Sequence, residues 1–285
     1  MRRQSRSILS RNHANHVKIS VDNMYEYQDK FRVTIPYLVS QVIENDCFSF
    51  SFVRKNGEAN ISGYLLRILP FLYESRRSQK ERLRKAFDES LGINLGLSEM
   101  TERQVDSFIE TSLKERYPEL ISREATTTVF LRKSKTAAYC LDQIIEEINE
   151  DRTISLSSYL SSLFCEYAAM ARYKREQICF SDTIRQTQEA MSGWKRICVI
   201  PNIEGEKAEG IPLGFVVDII EEESVLIYYD DVQSVVKAVP LKKIRCVIPK
   251  KSYDEKDLGK CDMEKVDEWI DSGGYRNFGI LRLEA

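Results

Sequence analysis

The stretch from Val225 to Lys251, VLIYYDDVQSVVKAVPLKKIRCVIPKK, sorts its chemistry unevenly. Adjacent rings, Tyr228 and Tyr229, precede adjacent acids, Asp230 and Asp231. The remainder is acid-free and carries Lys237, Lys242, Lys243, Arg245, Lys250 and Lys251. Cations that attract phosphate, beside rings that can hold an unpaired base, are the two ingredients of single-strand nucleic-acid binding. The two apolar runs flanking the acidic turn read as a β-hairpin whose alternation buries one tyrosine and exposes the other. Two further basic runs stand out: residues 1–21, with five Lys or Arg and no acid, and SRRSQKERLRK (75–85), with six bases against one acid. The net charge of the chain is only −2, so these runs are basic stripes on an acidic background.

Catalytic signatures are missing. The sequence holds no G-x-x-x-x-G-K-S/T, no G-x-S-x-G and no H-E-x-x-H, and its two histidines, His13 and His16, lie together near the start. Carboxylates cluster in helical salt-bridge patterns such as DQIIEEINED, where a solvated face is the default. The seven cysteines form no C-x-x-C pair and mostly sit within apolar runs, as expected of reduced, packed thiols in a cytoplasmic protein without a metal site. No apolar run approaches the length of a membrane span. The expectation is a soluble, non-enzymatic protein with no cofactor.

The elements that would position the charged side chains repeat. FRVTIP (31–36) alternates Phe31, Val33 and Ile35 with Arg32 and Thr34, a strand pattern ended by proline, and a helical pattern follows. CFSFSFV (47–53) alternates like a further strand. NISGYLLRILPFLYES then reads as a helix with Ser62 at its cap and a kink at Pro70. The order recurs in TTVFLRKS (127–134), TAAYCLDQIIEEI and ISLSSYLSSLFCEYAAMA, the last capped by Ser155. ISGYLLRIL aligns with LSSYLSSLF, Tyr-Leu on Tyr-Leu, placing Ser62 on Ser157, or on Ser155 if the cap shifts. Strand, helix and Ser-capped helix resemble the ribbon-helix-helix unit, in which two strands pair antiparallel over four helices. The resemblance implies that outward ribbon side chains, here Arg32, Thr34, Thr128, Phe130 and Arg132, meet nucleic acid. It also implies that Ser62 and Ser155 open helices whose N-termini hold a phosphate. Whether the two strands pair within one chain or across a dimer is open at this point.

From Tyr173 the texture shifts to strands and turns: EQICF is followed by a helical segment, SDTIRQTQEAM, and then by the alternating β runs RICVIPNIEGEKAEG, IPLGFVVDII, ESVLIYYDD and VVKAVPLKKIRCVIP. IPLGFVVD, SVLIYYDD and VPLKKIRCVI resemble three strands of a WYL domain, although Ser224-Val225-Leu226 stands where the family has Trp-Tyr-Leu. The resemblance implies a small Sm-like β-barrel and a basic groove for nucleic acid or charged ligands. Arg196, Tyr228, Lys242 and Arg245 would form that groove, with Tyr229, Lys237 and Lys243 as neighbours. The expected organisation is α+β: a basic arm (1–20), a ribbon-helix-helix-like unit (21–75), a helical connector (76–125), a second unit (126–171), the barrel (172–250) and a C-terminal extension (251–285).

This combination is similar to two groups. One is the WYL-containing accessory proteins of type VI-D CRISPR systems, which bind single-stranded RNA and raise the activity of an RNA-cutting effector nuclease. The other is bacterial transcriptional regulators that bind palindromic duplex DNA, in some cases in response to a ligand. The aromatic-plus-basic surface favours the first, as a homodimer whose partners are single-stranded RNA and the effector nuclease.

Overall fold

A computed structural model of the chain describes residues 30–93, 111, 125–132, 137–151, 155–202 and 207–283. The basic arm and all but Thr111 of the charged segment 94–124 lie outside the described residues. Strand β1 (Lys30–Pro36) leads through Pro36 into helix α1 (Tyr37–Ser49). Helix α2 (Ile61–Ile93) runs on through Pro70 as one helix, across the 75/76 boundary expected from composition. CFSFSFV is not a strand. Cys47–Ser49 finish α1, Ser51 turns the chain at φ 64°, and a lone bridge joins Val53 to Ala59. Phe50 and Phe52 instead fold back onto the Tyr64 ring, with centroids 6.4 and 5.2 Å away.

The second unit repeats the first: β2 (Thr126–Arg132), α3 (Ala138–Asp151) and α4 (Leu156–Ala168). β1 and β2 pair antiparallel within the one chain, Val33 facing Val129 at the centre. A single strand cannot satisfy its backbone or bury one face alone; the second copy supplies both. Phe31, Val33, Ile35, Val129 and Leu131 all point inward and are buried. The N-terminal turn of α4 locks to β1, where the Thr34 N–H donates to Ser157 Oγ at 3.1 Å.

Two short helices, α5 (Arg172–Cys179) and α6 (Ser181–Ser192), come next; α6 is the helix expected at SDTIRQTQEAM, whereas Glu176–Cys179 of EQICF end α5 and the strands begin at Lys195. Strands β3 (Lys195–Pro201), β4 (Ala208–Asp218), β5 (Glu223–Asp230), β6 (Val235–Pro240), β7 (Ile244–Ser252) and β8 (Ile280–Arg282) form one antiparallel sheet in the order β7-β3-β4-β5-β6-β8. This is an open sheet, not the closed barrel expected from the sequence. The reason lies in the C-terminal extension, which adds α7 (Glu255–Leu258), α8 (Met263–Asp271) and β8. β8 occupies the outer edge of β6, pairing Val236 with Leu281, so that edge is not available to β7. β4 bends at Gly214, whose φ of +142° coincides with the register shift against β5.

One apolar cluster runs from the ribbon through the helices to the inner face of the sheet, joining Val33 and Leu160 to Leu226, Tyr228 and Val247. A second lies on the other sheet face, where Tyr229 and Ile227 meet Cys261, Val266 and Tyr275 of the extension. The first is crossed by a buried polar network. Arg175 of α5 grips Asp46 of α1 through Nε (2.7 Å) and Nη2 (3.0 Å), and the Tyr167 hydroxyl donates to the same carboxylate at 3.2 Å. The Tyr64 hydroxyl contacts that of Tyr167. The network ties α1, α2, α4 and α5 to one another, and removing either ion would leave the other buried and unpaired.

Glu176 is fully buried where α5 meets β5; its Oε2 accepts the Ser224 N–H and its Oε1 has no protein partner among the described residues. Burial pushes its carboxyl up to about 7, against the downward pull of the Ser224 N–H. A folded-state pKa above the unfolded value means the native state holds the proton longer, so this stabilisation is complete below about 4.5 and fades as pH rises through about 7. The difference is on the order of 3 kcal/mol. Glu176→Gln keeps the acceptor without the charge. Urea unfolding of parent and variant between pH 5 and 8 should show the variant's advantage growing with pH; parallel curves would contradict this assignment.

Candidate nucleic-acid interface

Two surfaces were marked out by sequence, and the fold treats them differently. On the sheet, both tyrosines are interior. Tyr228 is 2% exposed and Tyr229 1% exposed, one in each core cluster. Alternation does send them to opposite faces of β5, but helices cover one face and the extension covers the other. Burial pushes the Tyr228 phenol up to about 12. Neither ring can stack on a base, which corrects the expectation that one is exposed.

The cations around β5 are largely neutralised. Lys237 Nζ donates to Asp230 Oδ2 at 2.7 Å, Lys242 pairs with Glu223, and Arg196 pairs with Asp231 and, at 2.9 Å, with Asp257. A cation already held by a carboxylate gains little from a phosphate, because the existing pair must be given up or shared before the cation can neutralise the phosphate and release the counterions condensed on the nucleic acid. The acidic turn therefore answers the lysines rather than standing apart from them. Lys243 and Arg245 have no carboxylate partner among the described residues. Arg245 is exposed and lines a cleft of about 310 Å³ with Arg67, Phe52 and Asn202.

The ribbon keeps what the sheet loses. Register places Lys30 opposite Arg132, Arg32 opposite Phe130 and Thr34 opposite Thr128, and these side chains share the solvent face. Phe130 is 49% exposed, with Lys30 Nζ 4.3 Å from its ring centroid. Arg32 Nη2 reaches Thr128 Oγ1 at 3.5 Å. Among the described residues, no carboxylate forms an ion pair with Lys30, Arg32 or Arg132. Ser155 caps α4, its hydroxyl accepting the Ser158 N–H at 3.1 Å, and this helix end adjoins β1 through Ser157. Ser62 is not a cap. Asn60 takes that role, its Oδ1 accepting the Gly63 N–H at 3.1 Å, and Ser62 lies one residue inside α2.

Lys30 was missed by the sequence reading, though extending the Arg32, Thr34 alternation one step back reaches it. Asn60 was legible too, since asparagine is as good a cap as serine. The face is not two-fold symmetric: about the central Val33–Val129 pair, Arg32 is matched by Thr128 and Thr34 by Phe130.

No protein-family model matches the chain, and no curated protein does. Among solved structures, one described as "Crystal structure of a CRISPR Cas-related protein" matches with a TM-score of 0.62 and 16% identity. The match covers 87% of this chain and 72% of that one. At that identity the likeness is one of fold. No helix among the described residues is long and apolar enough to cross a membrane, and no cluster of His, Cys, Asp or Glu among them could hold a metal ion.

The two kinds of ring should separate in stability. Tyr228→Ala and Tyr229→Ala should each lower the unfolding free energy by about 3–5 kcal/mol. Phe130→Ala should cost under about 1 kcal/mol, the scale of one cross-strand pair. Urea denaturation of the three variants checks this; a large loss at Phe130 would make it a structural residue.

Proposed function

We propose that the protein is a non-enzymatic accessory factor that binds single-stranded RNA and raises the activity of an RNA-guided, RNA-cutting CRISPR nuclease of type VI-D. The observation that carries the nucleic-acid reading is the ribbon face, where Lys30, Arg32 and Arg132 have no carboxylate partner among the described residues and surround the exposed Phe130 ring. The CRISPR Cas-related structural neighbour supports the system in which it works. The resemblance of the sequence to WYL accessory proteins supports the role within that system.

The ribbon's asymmetry favours a single strand over a palindromic duplex. A two-fold operator is matched by two-fold contacts, whereas the related positions here differ, Arg32 with Thr128 and Thr34 with Phe130. A ring at that position serves an unstacked base, with stacking worth about 1–3 kcal/mol and tolerant of sequence. One chain completes the ribbon, so a homodimer would have to serve another purpose. The regulator reading keeps one observation in its favour, the Ser155-capped helix end beside β1, a place where a duplex phosphate could sit.

Three phosphate contacts to a single strand give a log K against log salt slope of about −2. Labelled single-stranded RNA titrated at several salt concentrations should give at least that slope. Arg32→Ala with Arg132→Ala should flatten it by about 1.4. Phe130→Ala should weaken binding without changing the slope. Tight binding of a palindromic duplex in preference to RNA would establish the regulator instead, and no nucleic-acid binding at all would end both readings.

A further inference from the structure

Trp194 is the largest side chain that the fold places on the surface without an evident packing reason. It follows α6 and precedes β3, it is 44% exposed, and it belongs to neither core cluster. Its backbone sits at φ 52°, a left-handed conformation that a bulky residue rarely adopts. Two backbone bonds hold it there: its N–H donates to the Met191 carbonyl at 3.1 Å, and its carbonyl accepts the Tyr253 N–H at 3.0 Å. The Tyr253 ring, itself packed against the second core, supports the indole at 5.4 Å between centroids and 44° between planes.

The surroundings are cationic. Lys195 follows Trp194 and lies opposite Ser252 in the β3–β7 register, and Lys251 precedes Ser252. Both lysines are exposed, and neither has a carboxylate within ion-pair distance among the described residues. The nearest acids along the chain are Asp254, which accepts the Asp257 N–H in the α7 capping box, Glu255, which is exposed, and Asp257, which holds Arg196. An indole pinned in a strained conformation, backed by a second ring and flanked by two free cations, is preorganised for a flat, electron-poor face attached to a phosphate.

We infer that Trp194, supported by Tyr253, is a second stacking site for an unpaired base of single-stranded RNA, with Lys195 and Lys251 on the adjoining phosphates. This rests on the RNA-binding reading above and moves the aromatic contact of the sheet domain from Tyr228 and Tyr229 to the α6–β3 junction. A single strand would then touch the protein at two separate places, the ribbon and this edge of the sheet.

The chain has two tryptophans, so Trp269→Phe leaves Trp194 as the sole indole emitter. Oligouridylate titrated into that variant should quench the emission along the same isotherm as the anisotropy of labelled oligouridylate. Trp194→Ala should weaken binding about tenfold and Trp194→Phe should restore most of it, in line with one stacked base. Lys195→Ala should flatten the salt slope by about 0.7. If oligouridylate binds but the emission and the Trp194→Ala affinity are unchanged, this site is wrong and the RNA-binding function stands. Absence of any oligouridylate binding overturns both. If Trp194→Ala does not fold, the quenching and the Trp194→Phe affinity decide. Unquenched emission alongside a Trp194-dependent loss of effector-nuclease binding would assign the pair to a protein partner and overturn the RNA assignment.

Discussion

Strand β5 is covered on both faces, and that burial governs what the sheet half can offer a ligand. Every residue from Ser224 to Asp230 is buried, with helices against one side and the C-terminal extension against the other. Charges at the rim of such a strand sit in poor solvent, where an unpaired ammonium or guanidinium is costly. Glu223, Asp230 and Asp231 at its two ends therefore meet Lys242, Lys237 and Arg196. The charge sorting of the hairpin is a pairing scheme across strands. It leaves Lys243, Arg245, Lys195 and Lys251 without a carboxylate partner among the described residues.

The ribbon obeys the opposite constraint. A two-stranded sheet has only one face that can be buried, and the four helices take it, so the other must face water. With the two units in one polypeptide, the outward positions diverged: Arg32 is matched by Thr128 and Thr34 by Phe130, and Asn60 caps one helix where Ser155 caps the other. The continuous core joins this ribbon to the sheet, so the two halves are not loosely tethered.

Much of this was legible in the residues. Period-2 alternation located β1 and β2 and identified their solvent face, because a single buried face writes an unambiguous pattern. The same logic failed at Tyr228 and Tyr229, since a strand buried on both faces reads as a continuous apolar run. What covered the second face was 30 to 50 residues away in the sequence, in an extension whose β8 also occupies the β6 edge and holds the sheet open. CFSFSFV misled because three phenylalanines at alternate positions can come from a helix end and a left-handed turn wrapping a tyrosine. Trp194 could have been noticed as a tryptophan between Gly193 and Lys195. Its exposure and its partnership with Tyr253 depend on a β3–β7 pairing that composition does not reveal.

The claim on which the functional account rests is that the ribbon's solvent face touches RNA. Photocrosslinking of the full chain to single-stranded RNA bearing 4-thiouridine, followed by mass mapping of the modified peptides, tests it directly. The account predicts crosslinks on Phe130 and within Lys30–Pro36, lost when salt strips the complex. Crosslinks confined to other surfaces, with both ribbon strands unmodified while RNA remains bound, would contradict it.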